Sequence, residues 1–249
     1  MAGREDFGRA PADVVMNLPN ILTILRVISV PFFIYLLIRP DDFSRMIAFG
    51  LFVFASVTDL VDGYLARKWK QETELGKFLD PLADKALVLG AFMTFLLLSS
   101  QVRLWMVLCI VGRDMLITVM RWLAIRQGKS LKTSMFGKIK TTFQMFAITV
   151  ILVSFVMITS TEGDTINAMY AEANAQGTST FQTAFDNYTK FANGEMAGGL
   201  SFGLSTFVPY YLMLLTTIIT VISGLRYIIT NYNLFTYPLQ LIGKRREED

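Results

Sequence analysis

Asn20 to Ile38 reads NILTILRVISVPFFIYLLI, nineteen residues in which Arg26 is the single charge. A helix rises about 1.5 Å per residue, so the run reaches about 28 Å, close to the thickness of bilayer hydrocarbon. Backbone N–H and C=O groups find no water in lipid and must pair within the segment, which a run of this length does as a helix; barrel strands are shorter and alternate. Working outward from it, five further stretches qualify, at 44–66, 80–100, 104–125, 138–160 and 207–229. The whole chain agrees, with 53% hydrophobic residues, only 17% charged and a mean hydropathy of +0.47. The expected fold is all-α, a polytopic integral membrane protein with six transmembrane helices. The membrane domain covers 20–230, preceded by a cytoplasmic or interfacial segment 1–19 and followed by a tail 231–249.

Short cytoplasmic loops carry an excess of Lys and Arg. With the N-terminus inside, fifteen loop bases fall on the cytoplasmic side and only Arg39, Arg45, Arg103 and Lys190 on the outer side. Both termini are therefore expected in the cytoplasm, and the first span stays as helix one rather than a removable signal peptide. The short apolar run Val14–Met16 either lies along the membrane surface or belongs to a frayed tail. Between the last two spans, 161–206 is rich in Thr, Asn, Ala and Gly with five acids and one Lys, and reads as an outer loop of unusual length. Its Asn187-Tyr188-Thr189 fits a glycosylation sequon, a triplet too common to carry weight. No internal repeat, Gly-rich phosphate loop or nucleic-acid module is present.

The chain has no His and one Cys, Cys109, which excludes a Ser-His-Asp triad, a Cys-His pair, a zinc finger and an intramolecular disulfide. Chemistry must come from Asp, Glu, Lys, Arg or hydroxyls. Ionisable groups inside spans are costly and mark either a site or a satisfied pair. Four acids flank one cytoplasmic loop: Asp59-Leu-Val-Asp62-Gly63-Tyr-Leu-Ala66-Arg67, eight residues, then Gly76-Lys-Phe-Leu-Asp80-Pro-Leu-Ala-Asp84. Positions three and four apart share a helix face, so each helix presents two carboxylates side by side. Four converging carboxylates repel one another, and one or two hard divalent cations with oxygen ligands, Mg²⁺ or Mn²⁺, relieve that repulsion. Gly63, Ala66 and Gly76 leave room beside them for an extended ligand. The alternative is a set of Asp–Arg or Asp–Lys pairs that only hold helices together. A divalent-cation transporter is a further alternative, but a path would distribute polar groups through the bilayer, whereas these acids gather at one end.

This pattern resembles the CDP-alcohol phosphotransferase family, whose signature D-x2-D-G-x2-A-R-x8-G-x3-D-x3-D is matched at every fixed position. The resemblance implies six spans per protomer, a homodimer in the cell membrane with its site on the cytoplasmic side, and displacement of CMP from a CDP-linked substrate by an incoming hydroxyl. It implies that Asp59, Asp62 and Asp80 hold the metal, with Asp84 as general base and further ligand. Gly63, Ala66, Arg67 and Gly76 then form the CDP-binding surface, beside the two carboxylates of Asp59 and Asp62. Asn20, Thr23 and Arg26 recur at helical spacing and either face the nucleotide pocket or cap and anchor the first helix. The flanking stretches, from Asn17-Leu18-Pro19-Asn20 to Gly137-Lys138-Ile-Lys140-Thr141-Thr142, resemble the branch that joins CDP-diacylglycerol to glycerol 3-phosphate. Inositol phosphate and phosphatidylglycerol are the acceptors of sister branches. Arg113, Arg121, Lys138 and Lys140 form a second cationic group suited to a phosphate on the acceptor, against the plainer readings that they obey the positive-inside rule or, for Arg113, pair with Asp114.

Overall fold

The computed structural model describes residues 18–69, 74–126 and 135–231. Among them the secondary structure is entirely helical: α1 (Leu18–Ile38), α2 (Asp42–Trp69), α3 (Glu74–Leu98), α4 (Leu104–Arg126), α5 (Met135–Met157), α6 (Ser160–Ala175), α7 (Thr180–Ala192), α8 (Leu200–Ser205) and α9 (Val208–Thr230). Ile21–Ile38, Ile139–Met157 and Leu200–Thr230 are long and apolar enough to cross a membrane. The other three expected spans correspond to α2, α3 and α4, continuous helices that carry ionisable residues within their length. The segment 1–19, with its Val14–Met16 run, and the tail 231–249 lie outside the described residues except where they join α1 and α9. The chain divides into two compact units, Met1–Ala91 and Phe92–Asp249.

In the first unit, α1 buries a stripe at Thr23, Arg26, Val30, Phe33 and Leu37, and α2 buries Ala48, Phe52 and Ala55 at the same helical spacing. Phe33 and Phe52 meet with ring centroids 5.8 Å apart. Asp59 lies one turn beyond Ala55 on the same stripe, so the apolar seam between α1 and α2 ends in polar residues on both helices. α2 starts cleanly because the Asp41 carboxylate accepts the Ser44 backbone N–H at 2.9 Å. α3 approaches α1 at Gly90, where a Cβ would stand 3.2 Å from both Val30 and Ile34; the missing side chain lets the backbones come close.

In the second unit α9 packs against α4 and α5, burying Met213 and a row of small and hydroxyl residues, Thr216, Thr217, Thr220, Ser223, Gly224 and Tyr227. The expected outer loop is instead a folded cap of three helices. Thr159 and Glu162 form a reciprocal capping box at the start of α6, and Ser179 caps α7. Side chains tie the cap down: Asn167 donates to the Leu98 carbonyl and accepts from the Ser100 N–H, both at 2.8 Å. Gln101 donates to the Ser205 carbonyl at 2.8 Å, and the Tyr170 hydroxyl donates to the Thr206 carbonyl at 2.6 Å. Burial pushes the Tyr170 phenol above the ordinary tyrosine range, so it stays a donor. Asn187, the head of the sequon, is 3% exposed and reaches the same Thr206 carbonyl, so it belongs to the packing of the cap and is not presented to a glycosylating enzyme.

Candidate active site

The signature residues fall as their spacing requires, with Asp59, Asp62, Gly63, Ala66 and Arg67 on α2 and Gly76, Asp80 and Asp84 on α3. Of the four carboxylates, the side chain of Asp59 lies among the described residues; those of residues 60–82 and of Asp84 lie outside them. Asp59 is paired with Arg26, whose NH1 donates to Oδ1. The Arg26 side chain is 1% exposed and Asp59 40%, so the guanidinium is built into the α1–α2 seam while the carboxylate stands at its open end. Arg26 thus acts as a fixed strut that orients Asp59 and offsets part of its charge. Thr23, one turn earlier on the same stripe, is also buried. Asn20 lies in the first turn of α1, with its side chain outside the described residues.

The donor set suits a hard divalent cation. All four side chains offer oxygen only, none is His or Cys, and the described one, Asp59, is oriented by Arg26 and partly exposed.

In the second unit the structure joins two of the expected cations through an acid. Asp114 accepts Lys140 Nζ on both oxygens, at 2.8 and 2.7 Å, and Arg113 NH1 at 2.9 Å. Arg113 NH2 donates onward to Ser223 Oγ at 2.5 Å, and at Gly224 a Cβ would lie 2.8 Å from Arg113 Cγ, so α9 packs directly against the aliphatic stem of Arg113. One carboxylate against two cations leaves the trio with a formal charge of +1, mostly enclosed: Lys140 is 5% and Arg113 14% exposed at the side chain. Arg121 is exposed on α4, and the Lys138 side chain lies outside the described residues.

Among the described residues of this unit, four buried polar atoms have no hydrogen-bond partner: Arg113 Nε, Gln144 Nε2, Thr220 Oγ1 and Tyr227 OH. Gln144 is one turn past Lys140 on α5, and Thr220 and Tyr227 flank Ser223 on one face of α9. Ser223, Gln144, Thr220 and Tyr227 were absent from the residues expected from sequence. The signal was present as hydroxyls recurring at 216, 220, 223 and 227 within an apolar run.

A family model for CDP-alcohol phosphatidyltransferase matches residues 16–172, which hold all four signature aspartates and the Arg113–Asp114–Lys140 trio. The chain belongs to the CDP-alcohol phosphatidyltransferase family, and its apolar helices make it an integral membrane protein. Within that family it is 42% identical over 137 residues to a Haemophilus influenzae protein named CDP-diacylglycerol–glycerol-3-phosphate 3-phosphatidyltransferase, covering 53% of this chain and 73% of that one. A Pseudomonas fluorescens protein of the same name is 41% identical over 145 residues, 55% of this chain and 72% of its own. One from Sodalis glossinidius is 38% identical over 143 residues, 55% of this chain and 77% of its own.

Proposed function

We propose that this protein transfers the phosphatidyl group of CDP-diacylglycerol to glycerol 3-phosphate, forming phosphatidylglycerophosphate and releasing CMP. The observation that carries the reading is the complete aspartate signature set on α2 and α3, in a chain whose relatives bear the name of that reaction. Asp59, Asp62 and Asp80, with Asp84, would hold one or two Mg²⁺ or Mn²⁺ ions. Such ions, when bound, neutralise the diphosphate and stabilise charge on the departing CMP oxygen. Gly63, Ala66, Arg67, Gly76, Asn20 and Thr23 form the nucleotide-binding surface, and Arg26 keeps Asp59 in position.

Asp84 takes the proton from the glycerol phosphate hydroxyl, and no His is present to compete for that role. The oxygen forms its bond to the lipid-side phosphorus as the bond from that phosphorus to the CMP oxygen breaks, and the electron pair leaves on CMP. Arg113 and Lys140, with Arg121 and Lys138, hold the acceptor phosphate by charge-assisted hydrogen bonds. Asp114 holds the two enclosed cations side by side and orients them toward a shared anion. The protein has six spans, α1 to α5 and α9, with both termini and the site on the cytoplasmic side of the cell membrane, and works as a homodimer. The single basic residue of the cap against its five acids supports that sidedness.

The test is purified protein with CDP-diacylglycerol, Mg²⁺ and a panel of acceptors, scored by CMP release and lipid product. Glycerol 3-phosphate as the best acceptor is the expected result. Inositol phosphate or phosphatidylglycerol as the better one would keep the family chemistry and overturn the substrate assignment.

A further inference from the structure

The cap offers a surface that the transfer reaction does not use. α7 has three faces. Thr180, Thr183, Ala184 and Asn187 are buried against the rest of the cap. Gln182, Asp186 and Lys190 carry its polar side and are exposed. Phe181, Phe185 and Tyr188, spaced four and three residues apart on a third side, stand 52%, 49% and 47% exposed. Three large aromatics in one exposed row on a helix that has both a protein-facing and a charged side need a partner of their own.

What covers them follows from their neighbours. Phe181 meets Tyr211 edge-on with centroids 6.5 Å apart, and Tyr188 meets Phe207 at 5.5 Å. Phe207 is the residue before α9, and Tyr211 begins a helical row on α9 that continues through Leu215, Ile218, Ile222, Leu225 and Ile229. Those five are exposed and lie in the apolar stretch Leu200–Thr230, so in a spanning helix they face lipid. The aromatic row of α7 is therefore continuous, ring against ring, with the lipid-facing row of α9, and it joins that row at the end of the span where aromatic residues gather at a membrane–water boundary.

We propose that α7 is an interfacial helix: it lies in the membrane plane with Phe181, Phe185 and Tyr188 bedded among lipid headgroups and upper acyl chains, and Asp186 and Lys190 turned to water. The partner is the bilayer surface itself. An interfacial helix of this kind binds through its apolar face while its charged side stays hydrated. It fixes how deep α9 sits, and through Ser223 and Gly224 on α9 it bears on the setting of Arg113. The inference needs α9 to cross the membrane and is independent of the acceptor.

The experiment uses the full chain in vesicles of phosphatidylcholine and phosphatidylglycerol. Cys109 is replaced by Ser, and single cysteines are placed by Phe185→Cys, Ala192→Cys and Lys190→Cys, each carrying an environment-sensitive NBD label. Quenching by lipid bearing a shallow doxyl group is compared with quenching by iodide supplied on both sides. Labels at 185 and 192, which share the aromatic side, should be quenched several-fold more by the doxyl lipid than by iodide, and the label at 190 the reverse. Ala192 is an exposed helix-end position, so that variant reports even if the loss of Phe185 disturbs the cap. Iodide reaching 185 and 192 as readily as 190 would overturn the proposal. Shielding of both from either quencher would also overturn it, because a second copy of the chain, not lipid, would then cover the row.

Discussion

Replacing Asp114 by Asn leaves Lys140 and Arg113 side by side with a neutral amide between them. Lys140 is 5% exposed and Arg113 14% at the side chain, so neither cation can turn to water without moving a helix. Breaking a buried pair by removing one partner costs about 3–5 kcal/mol. Asp114 is itself 25% exposed and Arg113 keeps its bond to Ser223, which reduces the expected loss to about 2–3 kcal/mol. For a chain of this size about 1 kcal/mol moves the midpoint about 2–4 °C, so Asp114→Asn should lower Tm by about 5–10 °C. Intrinsic fluorescence during heating in detergent reads it, since Trp105 and Trp122 both lie on α4. Adding Lys140→Met removes one of the two like charges and should restore part of the midpoint. A single-variant shift below about 1 °C, or a double variant whose loss equals the sum of the two single losses, would refute the pairing, because coupled residues are non-additive.

Arg26→Gln should lower kcat about 5–30-fold through loss of a charge-assisted bond that holds Asp59, a modest effect because Asp59 is 40% exposed; Arg26→Lys should recover part of it, and equal loss in both variants would deny the strut role. Asp84→Asn should cut kcat by about 10² to 10⁴-fold with the KM for CDP-diacylglycerol barely changed, whereas unchanged turnover with a raised lipid requirement would make Asp84 a binding residue. Tyr170→Phe should raise hydrogen exchange across α6–α8, since the Thr206 carbonyl then keeps only its long bond to Asn187. Because burial raises the Tyr170 pKa, its contribution is fully present below the ordinary tyrosine value of about 10 and is lost as pH rises through the folded value, so the protection of cap amides, after correction for base-catalysed intrinsic exchange, should be constant through neutrality and fall only in alkali.

Hydropathy located the helices because lipid demands apolar side chains over a fixed length, and the expected 104–125 became α4 at Leu104–Arg126. The helices run past the apolar stretches at some ends: 44–66 lies inside Asp42–Trp69, and α3 begins at Glu74, ahead of the expected 80, because the charged turns around Arg67 and Glu74 continue the backbone ladder beyond the apolar run. At its other end α3 stops at Leu98, short of the expected 100. The cap was missed because its helices are short and of low mean hydropathy, so the stretch resembled a loop. Thr159 with Glu162 and Phe181, Phe185 and Tyr188 were its readable signals, a capping pair and an amphipathic row. At the site, spacing alone put the aspartates on two helices. It could not pair Arg26 with Asp59, 33 positions away, or Arg113 with Ser223, 110 away, since periodicity reports a face and not what meets it.

The most direct test of the account is acceptor-dependent CMP release by wild type and Asp62→Asn across a Mg²⁺ titration, with CDP-diacylglycerol and glycerol 3-phosphate saturating. Wild type should turn over only with both acceptor and divalent cation and stop in chelator, and the variant should lose nearly all turnover at every Mg²⁺ concentration while keeping its helix content. Turnover at wild-type rates in chelator, or in Asp62→Asn at limiting Mg²⁺, would contradict it.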